Sequence, residues 1–371
     1  MKLLFEVGST CVGGAERVIL RLAQGIKRLR PDWQLDCVVL TARGGLETEY
    51  QATFERLWPG PQRYEESGFI LARLVAQHGY DVVHCIDSFE YTDFAARHCP
   101  HTAFLQNVFP NVAKSPYAPS LRWLKNQSNP YSAIVTEFKA QMAMLPRPGR
   151  SPHALECIPN GIDTEFWCPD DNANRLIDVL WVARTDPEKG IGVAMDLVPM
   201  LCNRGLNYVI VTSEPDGPRL RLLELERQTT TFHYLSRVSP IDLRDLYRRS
   251  KIFIQTSGVE GMPATPLEAA ACGCWPLCSA VDGVKEVFED TNYLLGGLPT
   301  ASNFFEQITK RIDAVRYESF RYEPAEFHGD DWEPIGSRPA RQLVLDRYSV
   351  DNMVNAYINL YERIHACGPT T

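Results

Sequence analysis

Absences narrow the field first. Nowhere in the 371 residues is there a GxGxxG turn, so the fingerprint of a dinucleotide site is missing. Eleven cysteines are present, an odd number, and no two are spaced as CxxC. Cys272, Cys274 and Cys278 form the one cluster, with no histidine at a metal-ligand spacing. Buried free thiols in a reducing compartment are therefore expected, not a zinc site or a disulfide framework. No apolar run approaches the roughly 18 residues that a membrane span needs. The opening MKLLFEVGST is too short an apolar stretch for a secretory leader, and the expectation is a cytoplasmic protein. Positive charge is not in excess either. With 38 basic and 46 acidic residues the net charge is -8, which argues against a general nucleic-acid binder.

What is present is an alternation. Short apolar runs are separated by helical patterns, and they fall into two series. The first holds KLLFEVG (2–8), LDCVVLT (35–41), YDVVHCID (80–87), TAFLQNV (102–108) and SAIVTEF (132–138). The second holds DVLWVAR (178–184), NYVIVTS (207–213), TFHYLS (231–236), KIFIQTS (251–257) and CWPLCS (274–279). Between the first two strands, Val18, Leu22, Ile26 and Leu29 recur at helical spacing. Ser239-Pro240 reads as a helix start, with serine as N-cap and proline in the first turn. Met353, Val354, Tyr357, Leu360, Tyr361 and Ile364 mark one amphipathic C-terminal helix. Two strand–helix series imply an α/β fold of two doubly wound domains. The polar stretch near 168–177 is the expected linker, and 320–343 takes no assignment. Ligands of such sheets sit outside the carboxyl ends of strands, so the cleft between the domains is the default site.

Three loops at predicted strand ends suit an anion. In STCVGGAER, Gly13-Gly14 precedes a helix whose N-terminal amides point outward, although a glycine pair there is commonly only a turn. In VARTDPEKGI, Arg184 offers a fork and Lys189 a point charge, a pair suited to a diphosphate; a solvated charged turn is the alternative. The third loop, GVEGMPATPLEAAACG (258–273), carries Glu260 and Glu268 with seven residues between them. The amides of Gly261, Met262, Ala264 and Thr265 can meet sugar hydroxyls or phosphate oxygens. Glu268, a turn into the following helix, can grip the paired hydroxyls of a ribose, or stand as an ordinary exposed helix residue.

Taken together, GGAERV, IPNGIDTEFW, VARTDPEKG and EGMPATPLEAAACG resemble, in order and spacing, the motifs of family-4 retaining glycosyltransferases of GT-B fold. The resemblance spans nearly the whole chain, to YSVDNMVNAYINLY. It implies two Rossmann-like domains facing a central cleft. Residues 1–170, completed by the helix 349–366, would form the acceptor side, and 171–348 the domain that binds the nucleotide-sugar donor. It implies that Glu260 lies by the transferred sugar, that Glu268 holds the ribose, and that Arg184 and Lys189 bind the donor diphosphate and steady the leaving group. Gly14 matches a glycine that lets the first domain approach the phosphates. The backbone of Met262, Ala264 and Thr265 matches sugar and phosphate contacts, and Leu235 to Val238 a region near the base. Asn160 and Gly161 match a turn leading into the hinge. No metal and no cofactor beyond the UDP- or GDP-linked sugar is implied.

One departure stands out. Where the family often has a histidine near the donor sugar, this chain has Gln106, followed by Asn107. Glutamine can hydrogen-bond a hydroxyl but cannot titrate. His84 is no obvious substitute and is expected to be structural. The mechanism implied is transfer with retention, by front-face attack, with the leaving phosphate taking the acceptor proton. The acceptor, a glycan, lipid-linked or small molecule, would meet the loop 115–127 through Tyr117 and Arg122, with Asn107 nearby. That loop also suits peripheral contact with the inner membrane surface, and a solvated loop with a packed tryptophan is its plainer reading. The competing function is a catalytically silent nucleotide-sugar-binding protein of the same fold, motivated by Gln106. A GT-B epimerase or phosphorylase fits IPNGID and the glutamate pair less well, and a nicotinamide dehydrogenase lacks its fingerprint.

Overall fold

The computed structural model describes residues 1–11, 13–60, 66–86, 89–108, 130–144, 154–170, 172–213, 218–289, 291–319 and 337–367. The chain forms two compact units, one of Met1–Gly161 with Val350–Thr371, the other of Ile162–Ser349.

The first unit runs β1 (Lys2–Ser9), α1 (Gly14–Leu29), β2 (Gln34–Ala42), α2 (Glu47–Thr53), β3 (Arg56–Pro59), α3 (Ser67–His78), β4 (Val82–Ile86), α4 (Phe89–His98), β5 (Ala103–Val108), β6 (Ala133–Thr136), α5 (Lys139–Met144) and β7 (Ala154–Cys157). Its seven strands are all parallel, in the order β3-β2-β1-β4-β5-β6-β7. Parallel strands need crossovers that cover both faces, which is why they read as unbroken apolar runs. In β1 the alternation shows directly. Leu3, Phe5 and Val7 pack against α1, while Leu4 packs with residues of α3 and α4 on the other face.

The second unit runs β8 (Ile177–Ala183), α6 (Ile191–Asn203), β9 (Tyr208–Thr212), α7 (Arg219–Gln228), β10 (Phe232–Ser236), α8 (Pro240–Arg248), β11 (Ser250–Gln255), α9 (Ala264–Ala271), β12 (Trp275–Ser279), α10 (Asp282–Val287), β13 (Leu294–Leu295), α11 (Ala301–Ser319) and α12 (Ser337–Arg347). Its six parallel strands are ordered β10-β9-β8-β11-β12-β13. Val179 and Trp181 of β8 face one core, and Leu180 the other. At the start of α8, Ser239 accepts the Asp242 amide as N-cap and Pro240 follows it, the arrangement read from the sequence.

The chain then returns to the first unit as α13 (Val350–Ala366), whose Met353, Val354, Tyr357, Ile358, Leu360, Tyr361 and Ile364 are all buried. Its approach to α1 is close: a Cβ on Gly25 would stand 2.4 Å from a Val354 methyl.

The division falls at 161/162, ahead of the expected 170/171. Trp167 packs in the second unit's core, and the Ile162 amide donates to the Tyr348 carbonyl. The stretch expected to be a linker is tied down as well. Arg248 donates to the Cys168 carbonyl, and Arg175 reaches the carbonyls of Ser250 and Cys272. Cys272, Cys274 and Cys278 are buried free thiols, and burial pushes Cys274 up to about 12. Among the described residues, no helix is long and apolar enough to cross a membrane.

Candidate functional site

In the second sheet the chain winds from β8 to β10 in one direction, then restarts at β11 on the other side of β8. The gap between β8 and β11 is thus the topological switch point, where flanking loops diverge and leave a crevice. A cavity of about 260 Å³ opens there. Trp181 to Arg184 close the carboxyl end of β8, and Gln255 that of β11. Lys189, Ser257, Glu260 and Met262 to Thr265 complete its wall.

The two loops that flank it are stitched together. Trp181 Nε1 donates to Thr256 Oγ1 at 2.9 Å, and Thr256 Oγ1 lies 3.0 Å from the carbonyls of both Lys189 and Gly190. The Gly258 amide donates to the Glu188 carbonyl at 2.8 Å. Gly190 adopts φ +73°, and a Cβ there would lie 2.2 Å from the Thr256 carbonyl oxygen, so only glycine fits. Across the loop, Gly283 of α10 packs so near the Gly261 carbonyl that a Cβ would stand 1.9 Å from it. The loop from 256 to 263 is therefore held from both sides by backbone.

On this frame Lys189 Nζ pairs with Glu260 Oε1 at 2.8 Å, and Ser257 Oγ donates to the same oxygen at 2.7 Å. The pair is largely withdrawn from solvent, at 19% and 12% side-chain exposure. Arg184 lies 3.0 Å from Asp186 but is 61% exposed. A pair that open contributes about 0–1 kcal/mol, so Arg184 is readily recruited by an incoming anion. Met262 and Pro263 lead into α9, where no side chain caps the helix among the described residues. The amides of Ala264 and Thr265 and the positive end of the helix dipole therefore border the cavity. Two cations and a helix N-terminus around one carboxylate make a site suited to an anion joined to a polyhydroxylated group.

Six residues expected from the sequence meet on this wall: Arg184, Lys189, Glu260, Met262, Ala264 and Thr265. Others do not. Glu268 is half-buried on α9, beside Tyr247 of α8; burial first, and then the Glu268 charge, raise that tyrosine's pKa. Leu235, at the end of β10, is 37% exposed, and Val238 packs against the core beneath α8.

In the first unit the expectation for Gln106 needs correction. Its side chain is fully buried: Oε1 accepts from Thr92 of α4 at 3.0 Å, and Nε2 donates to the Asn107 carbonyl at 3.0 Å. Thr92 is in turn 2.7 Å from the Tyr131 hydroxyl. An amide so engaged joins β5 to α4 and is not presented to a sugar. Asn107, 5% exposed, likewise spends its side chain on Tyr357 of α13. His84 is structural as expected. It stacks on Tyr357, lies 2.6 Å from the Tyr361 hydroxyl, and burial lowers its pKa to about 3.

Gly14 opens α1 in an exposed position with no described atom within 4 Å of where a Cβ would lie. Its neighbour Gly13 is different: the Glu16 carboxylate, held by Ser9 at 2.8 Å, folds over it. The N-terminus of α1 thus already carries an internal anion. Asn160 donates to Glu137 at 2.7 Å, a structural contact at the end of the first unit. Tyr117, Arg122 and the rest of 115–127 lie outside the described residues.

Gln255, Ser257 and Thr256 were not singled out from the sequence. Their signal was available: three polar residues end the otherwise apolar run KIFIQTS.

Two doubly wound parallel sheets, the second with an anion-suited cavity at its switch point, define the GT-B class. Residues 12–166 match the model of Glycosyltransferase Family 4 and residues 170–316 that of Glycosyl transferases group 1. The chain belongs to these glycosyltransferases.

Anabaena HepE, solved in complex with UDP and glucose, superposes with a TM-score of 0.74 at 17% identity, over 98% of this chain and all of its own. Sucrose-phosphate synthase from Thermosynechococcus elongatus gives 0.70 at 15% identity, over 99% of this chain and 100% of its own.

A human protein of the phosphatidylinositol N-acetylglucosaminyltransferase is 24% identical over 81% of this chain and 65% of its own length. The N,N'-diacetylbacillosaminyl-diphospho-undecaprenol alpha-1,3-N-acetylgalactosaminyltransferase of Campylobacter jejuni is 25% identical over 54% of this chain and 48% of its own. The chain therefore spans about half to two-thirds of these curated relatives.

Proposed function

We propose that this chain transfers a sugar from a nucleoside-diphosphate sugar, UDP- or GDP-linked, to a lipid-linked or glycan acceptor, with retention at the anomeric carbon. The observation that carries the reading is the pairing of Arg184 and Lys189 with the uncapped α9 N-terminus around Glu260, in one cavity at the switch point. The second unit is the donor side and the first the acceptor side. Similarity to HepE, solved with UDP and glucose, favours uridine as the base. The relatives named for phosphatidylinositol and diphospho-undecaprenol favour an acceptor on a lipid, at a membrane surface.

In this reading the donor diphosphate draws Lys189 and Arg184 to its oxygens and lies against the amides of Ala264 and Thr265. These groups steady the charge that develops as the bond from the anomeric carbon to the phosphate oxygen breaks. The acceptor oxygen bonds to the same face of that carbon, and its proton passes to the departing phosphate oxygen. Glu260 then serves as a hydrogen-bond acceptor and a negative neighbour for the oxocarbenium-like carbon, not as a nucleophile. No metal is assigned a role. Glu268 reaches the ribose on the α9 side.

Turnover of UDP- and GDP-linked sugars with lipid-linked acceptors, read by NMR for the product anomer, tests the proposal. A product of inverted configuration, or a covalent sugar adduct on Glu260, would overturn the mechanism. Binding without turnover for every pair would favour the silent sugar-nucleotide-binding protein. Unchanged UDP affinity in Glu268→Ala would remove the ribose role.

A further inference from the structure

Gln255 closes the carboxyl end of β11 and is 6% exposed. It lies on the cavity wall beside Lys189 and Glu260, yet its side-chain oxygen has no hydrogen-bond partner among the described residues. Strand parity sets its direction. Phe253 packs in the core beneath α9 and Ile254 in the opposite one, so Gln255 projects to the α9 face, where Met262 to Thr265 form the wall. A buried amide oxygen without a donor is costly in the free protein and is tolerated where a ligand supplies the donor.

The missing partner must be a donor, and this discriminates between parts of a nucleotide sugar. A diphosphate at neutral pH offers only acceptors, and Arg184 and Lys189 already suit it. A sugar hydroxyl offers one donor and can take a hydrogen bond in return from the amide nitrogen. Resting on the donor reading above, we propose that Gln255 is a specificity-determining residue that hydrogen-bonds a hydroxyl of the transferred sugar. The site so defined sits next to the carboxylate that flanks the anomeric carbon.

The test is Gln255→Met, which keeps length and removes the amide. Titration calorimetry with UDP alone, UDP-glucose and UDP-N-acetylglucosamine, alongside thermal melts, is the readout. UDP affinity should stay within about twofold of wild type. Affinity for the UDP-sugar that binds best should fall about tenfold, the loss of one net hydrogen bond. The melting temperature should hold or rise, because an unpartnered buried group has been removed. A lower melting temperature would mark Gln255 as structural, and an equal loss for UDP would move it to the phosphates or the base. Either result overturns the proposal, as does an unchanged UDP-sugar affinity. If wild type binds UDP but no UDP-sugar more tightly, the sugar contact is refuted alone. If it binds neither UDP nor any of the sugars, the uridine donor reading falls first.

Discussion

Gly190→Ala should damage both stability and donor binding, and a neighbouring glycine supplies a control of opposite sign. At φ +73° an alanine pays about 1–2 kcal/mol for the left-handed conformation. Its Cβ would also stand 2.2 Å from the Thr256 carbonyl oxygen, a backbone atom that cannot swing aside. Overpacking of this kind adds about 1–3 kcal/mol. Gly190 is also the residue after Lys189, and both of their carbonyls lie against Thr256 Oγ1. Relief of the clash therefore moves the Lys189 backbone out of register with Glu260. For a unit of this size, each kcal/mol lowers Tm by about 2–4 °C, so a fall of at least about 4 °C is expected. UDP affinity should drop by an order of magnitude or more, since displacements near 1 Å at a binding constellation cost about 100-fold. Two residues on, Gly192 lies in α6, is exposed, and has nothing within 4 Å of its missing Cβ among the described residues. Gly192→Ala should hold or raise stability, by up to about 1 kcal/mol from helix propensity. Melting curves and UDP titrations on both variants are the assay. If the two behave alike, the stitched-loop account of the site is wrong.

The Lys189–Glu260 pair separates stability from binding. Lys189→Met strands a carboxylate only 12% exposed and should cost about 1–3 kcal/mol in urea denaturation, which adding Glu260→Gln should largely restore while UDP affinity stays low; recovered affinity in the double variant would remove Lys189 from the phosphate site. Gln106→Met should cost about 1–3 kcal/mol through Thr92, with the donor KM unchanged, and a KM raised tenfold would reinstate Gln106 at the sugar. His84 has a folded pKa of about 3 against about 6.5 when unfolded, so the unfolded chain binds the extra proton between those values. Its contribution is complete above about pH 6.5 and is lost toward pH 3, by up to about 1.4 kcal/mol per pH unit. His84→Gln should flatten the acid limb of the stability curve by that slope, and a pH-independent offset would count against it.

The long strands were legible because parallel strands buried on both faces leave short continuous apolar runs, such as residues 3–5 (LLF) and 252–254 (IFI). β3, β7 and β13 escaped because they lie at sheet edges and have only four, four and two residues, with no residue of β3 buried. Arg184, Lys189 and Glu260 could be read together since each sits in a loop at a strand end, and the doubly wound topology brings such loops to one edge. Gln106 could not. It also ends a strand, but whether that position meets a ligand or a helix depends on strand parity and on Thr92, fourteen residues earlier, in a helix the sequence does not aim. Glu268 raises the same difficulty in helical form. Its distance from Glu260 is visible in the sequence, but the phase of α9, which sets it beside Tyr247, is not.

The two glutamates therefore differ in kind. Glu260 is held in place by loops whose conformation is fixed by backbone: Gly190 under Thr256, Gly258 on Glu188, Gly283 on Gly261. Such rigidity matters because Glu260 and Lys189 face a conflict once an anion arrives. The lysine that neutralises the carboxylate in the free protein is the same cation a diphosphate would claim. If the loop were free to relax, Glu260 would swing toward water and its charge would be screened. Fixed by backbone and still bonded to Ser257, it would remain, in the proposed donor reading, where negative charge favours a developing cationic carbon. Glycines that allow close approach, more than the charged residues themselves, thus determine whether the site can hold opposite charges apart in a way that suits the reaction.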